Sequence, residues 1–245
     1  MGSKARIAKH ILPIILKDRQ PNQFFVEPFV GGCNVIDKVS GLRIGNDNNK
    51  YLISMLLKVQ QGYRFCEDID KATYDIARQN WYDKEAGKDG RYLSDADIGW
   101  IGFMASANGR FFEGGYSGVS NTKIGTQRDY ISESIRNLEK QRAALEGIEF
   151  MHGDYYNLPI PKNSIVYCDI PYKRTKQYAT SKNFDYGRFY GWCREKKEQG
   201  HQLFISEYEM PEDFTCIWQV EVKSSLSANG VAGGNKVSIE KLFTV

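Results

Sequence analysis

"IVYCDIPYKRTKQY" (residues 165–178) begins as a buried strand and ends abruptly in a carboxylate, a proline, an aromatic ring and a burst of basic residues. Ile165 to Cys168 form a short apolar run, the pattern of a strand covered on both faces. Such strands belong to parallel sheets, whose C-terminal tips face the ligand crevice in α/β folds. Asp169 stands at that tip. Pro171 fixes its own φ, lacks an N–H, and biases Ile170 towards an extended backbone. Tyr172 is expected to be exposed and to offer a flat face, and Lys173, Arg174 and Lys176 follow it.

Outward from this stretch the same rhythm recurs. QFFVEPF (23–29) is a short strand broken by Pro28 and then by Gly31 and Gly32. GLRIGND (41–47) ends in Asp47, and KYLISMLLKVQ (50–60) has a helical pattern. Downstream, IEFMHGD (148–154) and HQLFIS (201–206) read as strands, and TCIWQVEVK and KVSIEKLFTV as a closing hairpin. Residues 5–17 form a helical pattern with Ile7, Ile11, Ile14 and Ile15 near one side, and Pro13 predicts a kink or two short helices. Residues 63–103 are helical by pattern, with starts expected at Asp68 and Ser94. Residues 104–128 are rich in glycine, hydroxyls and aromatics, and a structureless run of that length usually has a task. A helix resumes at Arg128, with Ile131, Ile135, Leu138 and Leu145 on one face. The expected fold is α/β, a Rossmann-like and mostly parallel sheet. Residues 1–62 and 147–245 make the core domain, and residues 63–146 a largely helical inserted lobe.

Composition bounds the function. The 245 residues are 41% hydrophobic and 26% charged, an ordinary globular balance. No apolar run approaches the roughly 20 residues that span a bilayer. The start, MGSKARIAKHILPII, places basic before apolar residues but has no small-residue cleavage site, so it reads as mature protein. Five cysteines without CxxC spacing point to reduced thiols in a cytoplasm, and three scattered histidines to no metal site. A net charge of +3 does not by itself imply nucleic acid.

Each strand tip suggests chemistry beside a plainer alternative. Gly31 and Gly32 allow a ligand close to the backbone, or simply make a tight turn. One carboxylate at Asp47 can accept from two ribose hydroxyls, or can cap the next helix. Asp154 can accept from an adenine amino group with Tyr155 or Tyr156 along the ring, or can sit in a surface turn. At Asp169 the odd features of the tetrapeptide all serve one target, an exocyclic amine on a nucleobase. The amine's lone pair is delocalised into the ring until hydrogen-bond acceptors draw the nitrogen towards tetrahedral geometry. Asp169 supplies one acceptor and the Ile170 carbonyl the other, while Tyr172 stacks on a flipped base. A plain strand-ending turn is the alternative.

Taken together, these motifs resemble the Dam-like DNA adenine methyltransferases (D12 class), over nearly the whole chain. Gly2-Ser3-Lys4 is similar to that family's N-terminal lysine motif, FVEPFVGG to its FxEPFxGxG, and Asn46-Asp47-Asn48 to its second-strand acid. His152-Gly153-Asp154-Tyr155 resembles its adenine contact, DIPY its DPPY, and Ser206-Glu207-Tyr208 a later sheet motif. The resemblance implies S-adenosyl-L-methionine as cofactor, held by Lys4, Glu27, Pro28, Phe29, Gly31, Gly32, Asp47, Asn48, Asp154, Tyr155 and Asp169. It implies site-specific methylation of adenine in double-stranded DNA, catalysed around Asp169, Ile170, Pro171 and Tyr172. Two positions depart from the pattern. Cys33 replaces the last glycine of the first motif, which would shift any positive φ to Gly32. Ile170 replaces a proline whose carbonyl alone is needed. For DNA contacts the candidates are Lys173, Arg174 and Lys176 on phosphates, with Arg110, Tyr116, Asn121, Lys123 and Arg128 in the insert. Alternatives are methylation of cytosine, RNA or protein on the same fold, or a catalytically silent DNA-binding protein.

Overall fold

Parallel strands paired in the order the topology rules allow form the centre of the protein, in a computed structural model that describes residues 4–121, 125–173, 183–223 and 237–245. Helix α1 (Ala5–Ile15) precedes β1 (Phe25–Glu27), β2 (Arg43–Asp47) and α2 (Lys50–Gln60). Next come α3 (Lys71–Glu85), α4 (Asp95–Met104), the short strands β3 (Val119–Asn121) and β4 (Gln127–Asp129), and α5 (Tyr130–Leu145). The chain then returns through β5 (Ile148–His152), β6 (Ile165–Asp169), α6 (Tyr186–Glu198), β7 (Gln202–Ser206), β8 (Thr215–Lys223) and β9 (Val237–Thr244). The main sheet has seven strands in the order β5-β2-β1-β6-β7-β9-β8. Its first five are parallel, and β9 runs antiparallel between β7 and β8. The expected α/β sheet is the one observed.

The period of two along each strand sorts the core into two layers. Phe25, Ile165, Tyr167 and Leu242 face one cluster, which includes Ile7, Ile11 and Ile15 of α1 and much of α2, α4 and α5. Val26, Val166, Cys168, Ile205 and Phe243 face the other, built on Phe189, Trp192 and Cys193 of α6. With both faces covered, these strands read as continuous apolar runs.

Several local expectations are corrected. Pro13 does not divide α1 in two: it lies in the last turn, and the helix stops two residues later. The buried side chains Ile7, Ala8, Ile11, Leu12 and Ile15 hold that helix on the sheet. Helix α3 starts after Asp70 and not Asp68, because the Asp70 side chain accepts from the Thr73 N–H at 2.7 Å. Ser94 caps α4 as expected. Residues 104–128 contain a 3-10 turn (Ala107–Gly109) and the first strand of the β3–β4 hairpin. The positive φ foreseen for Gly32 belongs to Cys33 itself, at 58°, with Gly31 at 47°.

Helices from the expected insert pack closely on the rest of the chain. Every residue of α4 from Ala96 onwards is buried except Asp97, and α4 packs on α2. Gly99 makes that approach possible: a Cβ there would fall inside the contact distance of the Tyr51 carbonyl. Helix α5 leans back over the first glycine turn, where Gln141 donates to the carbonyls of Gly32 and Cys33 at 3.1 and 3.2 Å.

Candidate functional site

Winding direction reverses between β1 and β6, which are neighbours in the sheet but distant in the chain. Open α/β sheets bind ligands at the carboxyl ends of the strands flanking such a reversal. There β1 delivers Glu27, β2 Asp47, β5 the His152-Gly153-Asp154 turn, and β6 Asp169. All the strand-tip acids singled out from the sequence therefore lie along one edge.

On the β1–β2–β5 side the turns are cross-tied. The Asn46 amide donates to the carbonyls of Pro28 at 3.1 Å and Gly153 at 2.9 Å, bridging three strand tips. One oxygen of Asp47 accepts from the Gly31 N–H at 3.1 Å and the other from the Asn49 N–H at 2.9 Å. Asn49, not Asp47, caps α2. Burial pushes the Asp47 carboxyl up, against those backbone hydrogen bonds. The Asn48 N–H also acts on this carboxylate. Asn48 is exposed, Gly32 likewise, and Pro28 is buried beside half-buried Phe29. Glu27 lies inside, 3% exposed, accepting from the Ile36 N–H at 3.0 Å; burial first, then nearby Asp169, raises its carboxyl well above the usual range. A cavity of about 320 Å³ opens beside β2 and β5, lined by Asn46, Met151, Gly153, Asp154, Leu158 and other residues.

The two aromatics after Asp154 differ from each other. Tyr155 packs into the second core cluster against Phe29 (5.0 Å between ring centroids) and Trp192 (5.3 Å), and burial moves its hydroxyl up to about 12. Tyr156 is exposed, with the Arg188 guanidinium 4.3 Å above its ring. Of the pair expected to flank an adenine, Tyr155 has its faces taken by core packing. Asp154 accepts from the Tyr156 N–H at 2.9 Å and pairs with Arg188 at 3.1 Å.

At the β6 tip, Lys4 reaches Asp169 Oδ1 at 3.4 Å and Glu240 of β9 at 3.1 Å, and also donates to the Tyr172 hydroxyl. Tyr172 in turn donates to Glu240 at 2.8 Å. Burial pushes the Asp169 carboxyl up, Lys4 pulls it down, and Glu240 and Glu207 push it up again; the result is a raised carboxyl. Burial works against the Lys4 ammonium, but Asp169 and Glu240 outweigh it and raise Lys4 above its ordinary value. Tyr172 corrects an expectation. It is 9% exposed, not an open platform, with Lys4 4.2 Å from its ring centroid and the Tyr208 ring at 4.5 Å. Its hydroxyl is drawn into the charged cluster, and the ring follows. The Ile170 side chain is buried, and the Pro171 carbonyl accepts from the Tyr186 hydroxyl at 2.8 Å.

The expected DNA contacts separate. Tyr116 is a packing residue, its hydroxyl donating to the Ile69 carbonyl at 2.9 Å and its ring against Tyr74, so it is withdrawn from the DNA set. Arg128 is held by Glu133 through two hydrogen bonds of 2.7 Å, so its charge is already matched. Asn121 is exposed at the end of β3. Arg110 is half-buried, and its Nε is buried with no hydrogen-bond partner among the described residues. Lys173 is exposed, with its backbone N–H on Glu207 at 2.7 Å. Lys123, Arg174 and Lys176 lie outside the described residues.

Glu240, Arg188 and Tyr186 entered the site unforeseen, and the sequence marks Glu207 only as part of a sheet motif. Glu240 had a signal: it stands two residues before the core residue Leu242, so on a strand it shares the buried face.

A scan of family models matches residues 1–201 to the D12 class N6 adenine-specific DNA methyltransferases. A search of curated proteins finds no match. Among solved structures, the chain is similar to SMU.472, a protein named as a candidate methyltransferase and crystallised with SAH, at 11% identity and a TM-score of 0.38. That alignment covers 99% of this chain and 52% of the other, so the chain spans about half the length of that protein.

Proposed function

The chain belongs to the D12 class N6 adenine-specific DNA methyltransferase family, and we propose that it methylates the exocyclic amine of adenine in double-stranded DNA. The observation that carries this reading is the Asp169 carboxylate at the β6 tip, 23% exposed, with Lys4 3.4 Å from its Oδ1. The carboxylate accepts one N–H of the target amine, and the Ile170 carbonyl, held extended by Pro171, accepts the other. The amine nitrogen then has a lone pair to direct at a methyl group. A base inside a duplex cannot reach a strand tip in this crevice, so the target is flipped out.

The residues present fit the family's methyl donor, S-adenosylmethionine, which when bound supplies an electrophilic methyl on a sulfonium. The fit rests on the Asp47 carboxylate at the β2 tip, an acceptor suited to ribose hydroxyls, beside the positive-φ turn at Gly31. Asp154 and the neighbouring cavity suit the adenine ring, with Tyr156 the accessible aromatic. Lys4, Glu27 and Phe29 bound the space between the two strand tips.

Residues 63–146 act as the target-recognition part. There the β3–β4 hairpin is exposed along both strands. Lys173 leads a basic run suited to phosphates. A cytoplasmic setting suits both substrates; among the described residues no helix is long and apolar enough to cross a membrane.

The test is incubation of tritiated S-adenosylmethionine with unmethylated DNA, followed by digestion to nucleosides. Label in N6-methyl-2′-deoxyadenosine is expected. Label in N4-methyl-2′-deoxycytidine, or none in DNA, overturns the reading.

A further inference from the structure

Two carboxylates at the β6 tip share one ammonium. Lys4 has three N–H donors, and three partners take them: Asp169, Glu240 and the Tyr172 hydroxyl. These groups come from the start of α1, the tip of β6, the turn after it and β9, and they are largely withdrawn from solvent. The side chains of Lys4, Asp169 and Glu240 are 10%, 23% and 15% exposed. Glu240 also accepts the Tyr172 proton on the same oxygen that meets Lys4. Its place is set by the sheet: β9 runs between β7 and β8, and Glu240 faces α1 on the same side as Leu242. It lies beyond residue 201, where the family match ends.

If Lys4 faced Asp169 alone, one ammonium would neutralise one carboxylate. The acceptor that must draw on the substrate amine would then be weakened, because acceptor strength follows charge and basicity. With Glu240 in the cluster, the ammonium is divided between two anions and the group keeps a net negative charge. We propose that Glu240 is a positioning residue for methyl transfer, sharing the Lys4 ammonium so that Asp169 remains a strong acceptor, and holding the Tyr172 hydroxyl against the cluster. This inference rests on the methyl-transfer reading of Asp169. The other groups acting on Asp169 are Glu27 from β1, Tyr167 within β6, Tyr172 after it, and Glu207 after β7. Glu240 raises the Asp169 carboxyl, so removing its charge lowers it.

The experiment compares wild type with Glu240→Gln, which keeps the shape and an oxygen acceptor but not the charge. Steady-state transfer of tritiated methyl to unmethylated DNA is measured, and the carboxyl carbons are titrated by 13C NMR. For Glu240→Gln we expect kcat to fall about tenfold, with KM for cofactor and DNA within about threefold, and Asp169 to titrate at lower pH. An unchanged kcat overturns the proposal, as does a rise in the cofactor KM alone, which would make Glu240 a cofactor contact. Should the glutamine variant fail to fold, the wild-type titration decides. Asp169 must then depart from a single-site titration curve, and a simple single-site curve overturns the proposal. If wild type transfers no methyl to DNA, the functional reading fails, while the titration still judges the charge sharing.

Discussion

Asp169 answers two opposed demands, since an acceptor for an amine must be anionic and its surroundings resist the anion. Burial raises its carboxyl, and Lys4 offsets only part of that. Asp169→Asn should therefore cut methyl transfer by about a hundredfold or more, the usual cost of losing a preorganised hydrogen-bonding group. Because the native state disfavours the charge that is removed, the urea midpoint should stay level or rise. A lower midpoint together with lost activity would mean Asp169 is a structural residue. Tyr172 gives the opposite pattern. Its hydroxyl joins Lys4 to Glu240 in a nearly dry cluster, so Tyr172→Phe leaves two polar groups short of a partner. The expected loss is about 1–3 kcal/mol in urea unfolding, with reduced activity. A phenylalanine variant as stable as wild type would show the hydroxyl to be idle. The strand-tip acids Asp47, Asp154 and Asp169 were legible in the sequence because a tip is a one-dimensional feature, an apolar run with an acid after it. For Glu240 the buried face was legible from Leu242 but the site was not, because its partners come from the N-terminal helix and β6 and meet it only once β9 has slotted into the sheet.

At the scale of elements, strands and most helices could be read from periodicity and caps. The alternation that splits Phe25 from Val26 and Ile165 from Val166 is visible in the chain and decides both core layers. Pairing between elements was less legible. Helix α4 is apolar all round, so no stripe announces which neighbour it meets. Its position against α2 depends on Gly99, where an added methyl would run into the Tyr51 carbonyl, a backbone group that cannot swing aside. Gly99→Ala should therefore cost about 1–3 kcal/mol, the range for overpacking a filled core, against a small gain in helix propensity. Limited proteolysis and urea unfolding would measure it, and cleavage should become faster within residues 63–129. A variant with wild-type stability would mean that α2 and α4 do not cross this closely. The same reasoning separates Tyr116 from a DNA-binding set: a tyrosine in a glycine-rich loop looks exposed in sequence, and only the fold brings it to Tyr74 and the Ile69 carbonyl.

For the whole molecule, the acids gathered at one sheet edge set how stability and ligand binding depend on pH. Burial raises the carboxyls of Glu27, Asp47 and Asp169 alike. When a native carboxyl sits above its unfolded value of roughly 4, the native state binds more protons between the two values. Stability contributed by such a group is therefore greatest below that window and is lost as pH rises through it. Lys4 has the other dependence: its raised ammonium stabilises fully below about 10.4 and loses that only above, so it adds no slope near neutrality. On the contribution of these three carboxyls, the ligand-free protein should lose thermal stability as pH rises above about 4. A sulfonium cofactor carries positive charge into this acidic edge and favours the ionised carboxylates. Binding should then release protons, and affinity should rise with pH across the same window. Calorimetric titration of S-adenosylmethionine in two buffers of different ionisation enthalpy reads the proton count directly, and S-adenosylhomocysteine, which lacks the sulfonium charge, is the control. Net release for the charged cofactor and less for the neutral one is the expected result. Proton uptake, or equal release for both ligands, would show that the raised carboxyls do not sense the cofactor's charge, and would separate the acidic edge from the binding site.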